Sequence, residues 1–530
     1  MLETIEVVGG EPILRYVLKN GKCITDQDAC IKLDMLDKEH PYTPKENSTG
    51  YTWDEMGLAD LFMLLYKDKL LYCKEAESWY VYDGKRWAQD LGNLQANEKM
   101  KEFFNLMFIY CDELKETEVT KAYTKTVHKF STKTYREKIL KDASSVSPLS
   151  VQLFDRNPYL LNCQNGTIDL QKVKFLPHQA TDYITQLANF SFSSAGDIDY
   201  IPEDQFEIKQ RIDLHCSRWE QFITEITEHD KDKAKYLQTA LGYSILGTSR
   251  EECMFILWGK TTRNGKSTLL NAIQNLLGDY ATGTPLDLIC KSGGSKDLNS
   301  ATPVLANLQG KRIAIMSESE EHGKLDESKV KTLTGGEEIA CRRLYEAPFT
   351  YLPQFTMWLS CNDLPSAYDN SLFSSGRLKV IEFTRHFEPE EQDKTLKDYF
   401  RTEKAKTGIF YWLLTGCFRY LKEGLKEPPV IQEKVKEYQE DNDLILQFIG
   451  QCCEQRFGAY VKSAELFSAY RNWCSDNGYF AGTIRTFNKN VKLYLGDKNW
   501  HLGMSRYVVY DNIKLKDLNR PISFNLDKEN

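Results

Sequence analysis

The sequence predicts an α/β protein organised around a parallel sheet, and three observations carry that prediction. Between residues 251 and 390 the apolar runs CMFILWG, RIAIMSE, FTMWLSCN and LKVIEF alternate with helical or loop segments, the order that builds a sheet flanked by helices. The first run passes through a glycine-containing turn, GKTTRNGKST, into the amphipathic LLNAIQNLL, so strand, loop and helix follow one another. With 530 residues, 41% hydrophobic and 12% aromatic, the chain can fill several cores, and its length implies three or four domains.

Taken in order, residues 1–49 mix polar and apolar positions weakly and end in the turn-rich HPYTPKENSTG, an N-terminal extension with an exposed link. Residues 50–204 read as a small α/β domain. It opens with apolar residues at helical spacing, then SWYVYDGKRW reads as two strands around an Asp83-Gly84 turn, and LLNCQNGTIDL as a hairpin around Asn165-Gly166. Within it Lys121, Lys125, Lys129 and Lys133 recur every fourth position with Tyr123, Phe130 and Tyr135 interleaved, either a nucleic-acid surface or a solvated helix face. Residues 205–250 are helical, a collar before the sheet domain of 251–390. A helical segment follows at 391–440. Residues 441–515 carry two amphipathic helical patterns split by a glycine turn, then a strand, the order of a winged helix; 516–530 is a tail.

The formal charge of −8 excludes a polycation that coats nucleic acid by bulk electrostatics, so a nucleic-acid partner requires a local basic surface. Fourteen cysteines without a CxxC pair argue for free thiols in a reducing compartment rather than a disulfide framework or a zinc site. No apolar run is long enough to span a bilayer and the N-terminus has no basic-then-apolar leader, which predicts a soluble cytoplasmic protein.

The chemistry starts at the glycine turn. In a phosphate loop, backbone N–H groups and a helix N-terminus hold phosphate, a lysine reaches the outer phosphates and a hydroxyl ligates Mg²⁺. Gly259, Thr262, Arg263, Asn264, Gly265, Lys266, Ser267 and Thr268 are the candidate ATP-binding residues, with Lys266 on phosphate and Ser267 on the metal. Five residues separate Gly259 from Gly265, one more than the usual pattern, so Gly259 need not be its first glycine. The run RIAIMSESEE ends in carboxylates; alternation puts Glu318 and Glu320 on one side, Glu318 as a Mg²⁺ ligand and Glu320 beside it for the attacking water. FTMWLSCNDLP delivers Asn362 at its end, where an amide can orient water or touch the γ-phosphate. Arg377 enters the last strand and reads either as a surface residue or as an arginine that completes a neighbouring subunit's site. Between the second and third runs, LTGGEEIACRRLYEAPFTYLPQF reads as a hairpin bearing Arg342 and Arg343, either a lever on a phosphodiester backbone or a structural element with paired arginines; Lys331 just before it is a further candidate DNA contact.

In the order RNGKST, SESEE, LTGGEEIACRRLYEAP, LSCNDLP and SSGRLKVIEF, with LLNCQNGTIDL ahead of them, the chain resembles superfamily 3 helicases of the phage, plasmid and poxvirus primase-helicase type. The resemblance covers about residues 50–390 and implies an AAA+-like core with a P-loop. It further implies a ring-forming, usually hexameric, ATP- and Mg²⁺-dependent motor that moves 3′ to 5′ on single-stranded DNA and opens forked duplex. It assigns catalysis to Lys266, Glu318, Glu320, Asn362 and Arg377. Many relatives carry two consecutive arginines where this chain has Gly376-Arg377. About fifty residues precede the first recognisable domain, too few for the primase domain many relatives carry, so a separate primase or replication protein is an expected partner. The expected bearer is a phage, prophage or satellite element in a bacterial host. Two other readings stay open: an origin-binding initiator using ATP as an assembly switch, and a small-molecule P-loop kinase, which accounts for the loop alone.

Overall fold

The computed structural model describes residues 2–5, 13–39, 52, 54–114, 117–192, 205–291, 302–317, 323–495, 500–502 and 508–516. Its centre is a five-stranded, all-parallel sheet: β1 (Met254–Trp258), β2 (Ala281–Gly283), β3 (Ile313–Ser317), β4 (Thr356–Cys361) and β5 (Leu378–Glu382), in the order β2-β3-β4-β1-β5. The four apolar runs form β1, β3, β4 and β5; the short edge strand β2 was not expected, because ATG carries no apolar alternation to announce it. Every residue of β1 is buried, as a parallel strand covered on both faces requires.

Alternation sorts the strand residues into two cores. Phe255, Leu257, Ile313, Ile315, Trp358 and Ile381 face a layer of helices: α1 (Gln205–Ile226), α2 (Lys231–Ser244), α3 (Lys266–Leu277) and α4 (Glu403–Glu423). The helix α1 breaks at Cys216, whose φ of −158° is non-helical, and the break lies against Gly408 of α4, where an added Cβ would stand 2.6 Å from the Cys216 Cβ. The other face, through Met254, Ile256, Met357, Leu359 and Val380, packs on helix Pro429–Asn442 and on Cys73, Tyr80, Val151 and Phe154 from the N-terminal part of the chain.

The core of the α1–α4 layer also takes in Leu161, Ile168, Phe175, Phe190 and Phe192. These lie on or beside the three-stranded meander Leu160–Cys163, Gly166–Asp169 and Lys174–Leu176, so packing runs across the expected boundary at residue 204. The fully buried Arg312 at the start of β3 fastens this meander to the sheet. It donates to the Leu160 carbonyl (3.1 Å) and to Gln354 Oε1 (3.2 Å), and burial pushes its guanidinium below its ordinary pKa while Tyr280 and Asp155 oppose that shift.

A separate N-terminal core joins helices Glu55–Tyr66, Leu94–Glu113, Glu118–Phe130 and Lys133–Ala143. The hairpin at Asp83-Gly84 is present as Ser78–Tyr82 and Trp87–Gln89, with Leu70–Cys73 as third strand. Among the described residues ahead of position 40, strands Leu2–Ile5, Ile13–Val17 and Cys23–Ile24 precede helix Gln27–Glu39, which buries Cys30, Leu33 and Leu36 at helical spacing in that core, regular structure that the mixed composition did not announce. The link at 40–51 lies outside the described residues. At the C-terminal end, helices Leu444–Cys452, Ser463–Asp476 and Ile484–Leu495 pack on an antiparallel sheet of Cys453–Lys462, Val508–Leu515 and Trp500–Leu502. The strand Cys453–Lys462 fills the gap between the helix that reads to about Glu454 and the first amphipathic pattern, and the sequence does not announce it. None of the fourteen cysteines is in a disulfide, and all but Cys23 are buried. Among the described residues no helix is long and apolar enough to cross a membrane.

Candidate functional site

The glycine loop leaves the C-terminal end of β1 and enters α3, as the sequence predicts, and the strand order sets β1 between β4 and β5. Three neighbours hold the loop. Gly259 N donates to the Cys361 carbonyl of β4 (3.3 Å), Phe383 N to the Trp258 carbonyl (2.7 Å), and Phe387 N to the Arg263 carbonyl (3.0 Å). His386 Nδ1 lies 2.8 Å from the Thr262 carbonyl oxygen. Both glycines are obligatory for physical reasons. A Cβ on Gly259 would stand 2.3 Å from the Phe383 carbonyl oxygen, and Gly265 has φ +86° with Ile226 2.3 Å from where its Cβ would be. Gly259 therefore has a defined place in the loop despite the extra residue.

Lys266 opens α3 and is only 4% exposed. Its ammonium donates to the Gly259 carbonyl (3.2 Å) and to Asn362 Oδ1 (3.1 Å). Two residues 96 positions apart, each singled out in the sequence, thus meet because β1 and β4 are adjacent. Asn264 is buried and donates to the Thr261 carbonyl at 2.5 Å, bracing the turn from inside. Ser267 is exposed in the first turn of α3, where backbone N–H groups have no intrahelical partner and attract anions. A cavity of about 450 Å³ adjoins the loop, lined by Arg263, Ser267 and Thr268, by Phe222 of α1, and by Phe387 and Leu396. Arg218, also on its wall, pairs with Glu225 at 3.1 Å and keeps its Nη1 buried without a partner. The wall residues of α1 and of the segment after β5 escape sequence reasoning, since nothing local marks them.

On the other side of β1, Lys434 lies 4.4 Å from the Trp258 ring centroid and 3.2 Å from Glu382. Desolvation lowers the pKa of its ammonium, but bonds to Glu437 and Glu382 outweigh it and hold it above the usual lysine value.

The other sequence candidates lie elsewhere. β3 ends at Ser317, opposite Ser360 of β4; Glu318 and Glu320 follow it and lie outside the described residues. Arg377 precedes β5, so it sits at the opposite end of the sheet from the loop, about 16 Å away along five strand residues. It donates to Glu252 Oε2 (2.7 Å) and Thr334 Oγ1 (2.5 Å) within its own chain. The expected hairpin is present as Ile339–Cys341 and Phe349–Tyr351. Arg343 is engaged inside it, with Glu346 at 3.4 Å, Gln309 at 3.1 Å and the Phe349 ring centroid 4.8 Å from its guanidinium carbon. Arg342 has its backbone N–H on Thr302 Oγ1 (3.0 Å) and its Nε buried without a partner. The tip instead presents Leu344 and Tyr345, the latter 96% exposed, which the two arginines had masked in the sequence. Lys331 bonds to Glu327 and, at 3.0 Å, to Ser371 Oγ.

Comparison with known proteins adds three family models in order along the chain. D5 N terminal like matches residues 59–228, a family of unknown function matches 257–377, and Poxvirus D5 protein-like matches 440–520. Among curated relatives, "Putative helicase L207/L206" of Acanthamoeba polyphaga mimivirus is 26% identical over 81% of this chain and 48% of its own length. "Putative helicase 022R" of Frog virus 3 is 24% identical over 50% and 28%, and "Putative helicase V13" of Sputnik virophage 27% identical over 39% and 28%. The chain thus spans about half, or less, of the length of these relatives, and they come from viruses of eukaryotes and a virophage rather than from phage. Among solved structures, the apo structure of the NrS-1 C terminal region is similar at 12% identity and TM-score 0.39, over 87% of this chain and 99% of that one. The ordered family matches and these viral relatives together make the chain similar to D5-type primase-helicases, of the superfamily 3 type.

Proposed function

We propose that the chain is an ATP-driven DNA helicase acting in replication. The observation that supports this best is the meeting of Lys266 with Asn362 at the end of two adjacent parallel strands, beside a loop whose glycines leave room for no side chain. On this reading the core is an AAA+-like P-loop ATPase. The amide groups at the start of α3 and the Lys266 ammonium bind the phosphates of ATP, which is the substrate. Asn362 holds the ammonium in place and is set to sense the γ-phosphate. The cavity takes the nucleoside, with Phe222 and Phe387 as its apolar walls. Mg²⁺, held by Ser267 and Glu318, would supply charge neutralisation at the phosphates, and Glu320 would orient the attacking water.

Arg377 lies at the end of the sheet remote from its own loop, as suits a residue that completes a neighbour's site in a ring, most simply a hexamer. To act so it must exchange Glu252 and Thr334 for phosphate. The hairpin would engage single-stranded DNA through its exposed tip, with translocation 3′ to 5′. The test is unwinding of a forked duplex with ATP, against Lys266→Ala; a folded, ATP-hydrolysing wild type that leaves the fork closed sinks the proposal.

One observation favours a second reading, an origin-binding initiator. The C-terminal helix Ile484–Leu495 buries Phe487 and Val491 while exposing Arg485 and Lys489, with no acidic residue along it, which suits a DNA-facing helix of a winged-helix module. Tight binding to one duplex sequence without unwinding would select it.

A further inference from the structure

The N-terminal domain carries a charged face that the ATPase reading does not use. Residues 121–141 hold seven basic side chains and one acidic one, in a chain whose formal net charge is −8. The structure folds them into helices Glu118–Phe130 and Lys133–Ala143. Val127, Phe130, Ile139 and Leu140 anchor both helices in the N-terminal core, so the basic positions turn outward. Lys125, Lys129, Lys133, Lys138 and Lys141 are all exposed.

The neighbouring charges do not neutralise this face. Glu118 lies 3.4 Å from Lys121 and Glu137 3.8 Å from Lys133; Asp54, Glu55 and Asp142 border Lys138 and Lys141. Among the described residues no carboxylate pairs with Lys125 or Lys129. The Lys129 ammonium rests 5.2 Å from the ring centroids of both Phe130 and Tyr135, an aromatic seat that limits where it can point. Like charges one helical turn apart, about 6 Å along the axis, destabilise a helix. A merely solvated face mixes signs and avoids that repulsion. A face that keeps it has a polyanion to offset it.

We propose that this face binds the phosphate backbone of single-stranded DNA, without regard to sequence and independently of the nucleotide site. The inference stands on the charge and packing of the N-terminal helices and does not rest on the helicase reading.

The experiment titrates the full chain, without nucleotide, into fluorescein-labelled oligothymidylate over a series of salt concentrations. The variant is Lys125→Gln with Lys129→Gln and Lys133→Gln; the control is Lys422→Gln with Lys426→Gln and Lys436→Gln, exposed lysines elsewhere. Each phosphate contact to a single strand contributes about 0.7 to the slope of log K against log salt, so the variant's slope falls by about 2 and its affinity by at least about tenfold. The control keeps both, and DNA-independent ATP hydrolysis is unchanged in either. A variant that keeps wild-type affinity and slope overturns the proposal, as does an equal loss in the control. Capture of phosphatidylserine vesicles without binding of the oligonucleotide overturns it too, by moving the face to a membrane. A wild type that binds through this face and yet opens no fork refutes the helicase reading and leaves this one standing.

Discussion

Replacing Gly259 with alanine tests the geometry on which the nucleotide site depends. The new Cβ would lie 2.3 Å from the Phe383 carbonyl oxygen, 2.7 Å from Asn264 Nδ2 and 3.3 Å from Lys266 Nζ. The Phe383 oxygen cannot swing aside, because Phe383 N is tied to the Trp258 carbonyl at 2.7 Å in the ladder between β1 and β5. The loop must therefore move, by about an ångström to restore van der Waals separation, and with it the carbonyl that orients Lys266. Such overpacking costs about 1–3 kcal/mol. Expressed wholly in the binding-competent loop, that is a loss of between about 5- and 150-fold in nucleotide affinity. The assay is equilibrium titration with a fluorescent ATP analogue, with far-UV circular dichroism to verify the fold. Gly283→Ala is the matched control, since β2 belongs to the same sheet and nothing lies within 4 Å of that Cβ. If Gly259→Ala binds as the wild type does, the loop is not held as described and the argument from Gly259 fails.

Four further outcomes follow from the same geometry. Lys266→Ala removes the cation that Asn362 holds, and ATP turnover should fall at least about 100-fold while the fold persists, as removal of a preorganised charge does elsewhere. Arg377→Ala should abolish hydrolysis while sparing nucleotide binding, and mixing it with Lys266→Ala subunits should recover part of the turnover; no recovery would argue against a site shared between subunits. Tyr345→Ala, at 96% exposure, should change stability by no more than about 0.5 kcal/mol but reduce stimulation of ATP hydrolysis by single-stranded DNA; unchanged stimulation would exclude the hairpin tip from the DNA path. Glu75 is the pH-sensitive tie: desolvation raises its pKa, but the Val151 N–H (3.0 Å) and the Ser150 hydroxyl (2.9 Å) outweigh it and hold the carboxyl below its usual value. Its contribution is therefore present above the ordinary glutamate pKa of about 4.3 and is lost as pH falls through the lower folded value. Glu75→Gln should lower the urea midpoint near neutral pH by the equivalent of about 1 kcal/mol, with the difference vanishing in acid.

Much of the sheet was legible because parallel strands buried on both faces are apolar throughout, and β1, β3, β4 and β5 are such runs. β2 was not, since three residues at a sheet edge leave no pattern. The hairpin around Asp83-Gly84 was legible from turn chemistry; the second hairpin was legible too, but its turn is Gln164-Asn165, with Gly166 already paired to Cys163 in the strand that follows. Lys266 and Asn362 were singled out because each follows a readable strand, but that they touch depends on strand order, which periodicity does not encode. Lines of sight fail differently at Arg343: charge marks it in the sequence, whereas its partners Gln309 and Glu346 fix its role and come from separate segments. The cavity wall on α1 is set by how a helix forty residues upstream docks, which no local signal reports.

The meander at 160–176 and the strand-free stretch after it lend Leu161, Ile168, Phe175, Phe190 and Phe192 to the layer that covers the sheet. A fragment begun at Gln205 to isolate the nucleotide-binding unit would leave an apolar trough where those five side chains sit. At about 1.5–3 kcal/mol for each, the deficit is on the order of 10 kcal/mol, comparable to the whole stability of an ordinary domain. A piece able to fold alone therefore starts no later than Asp155, and residues 155–192 serve as a lid on the core rather than as part of a neighbouring domain.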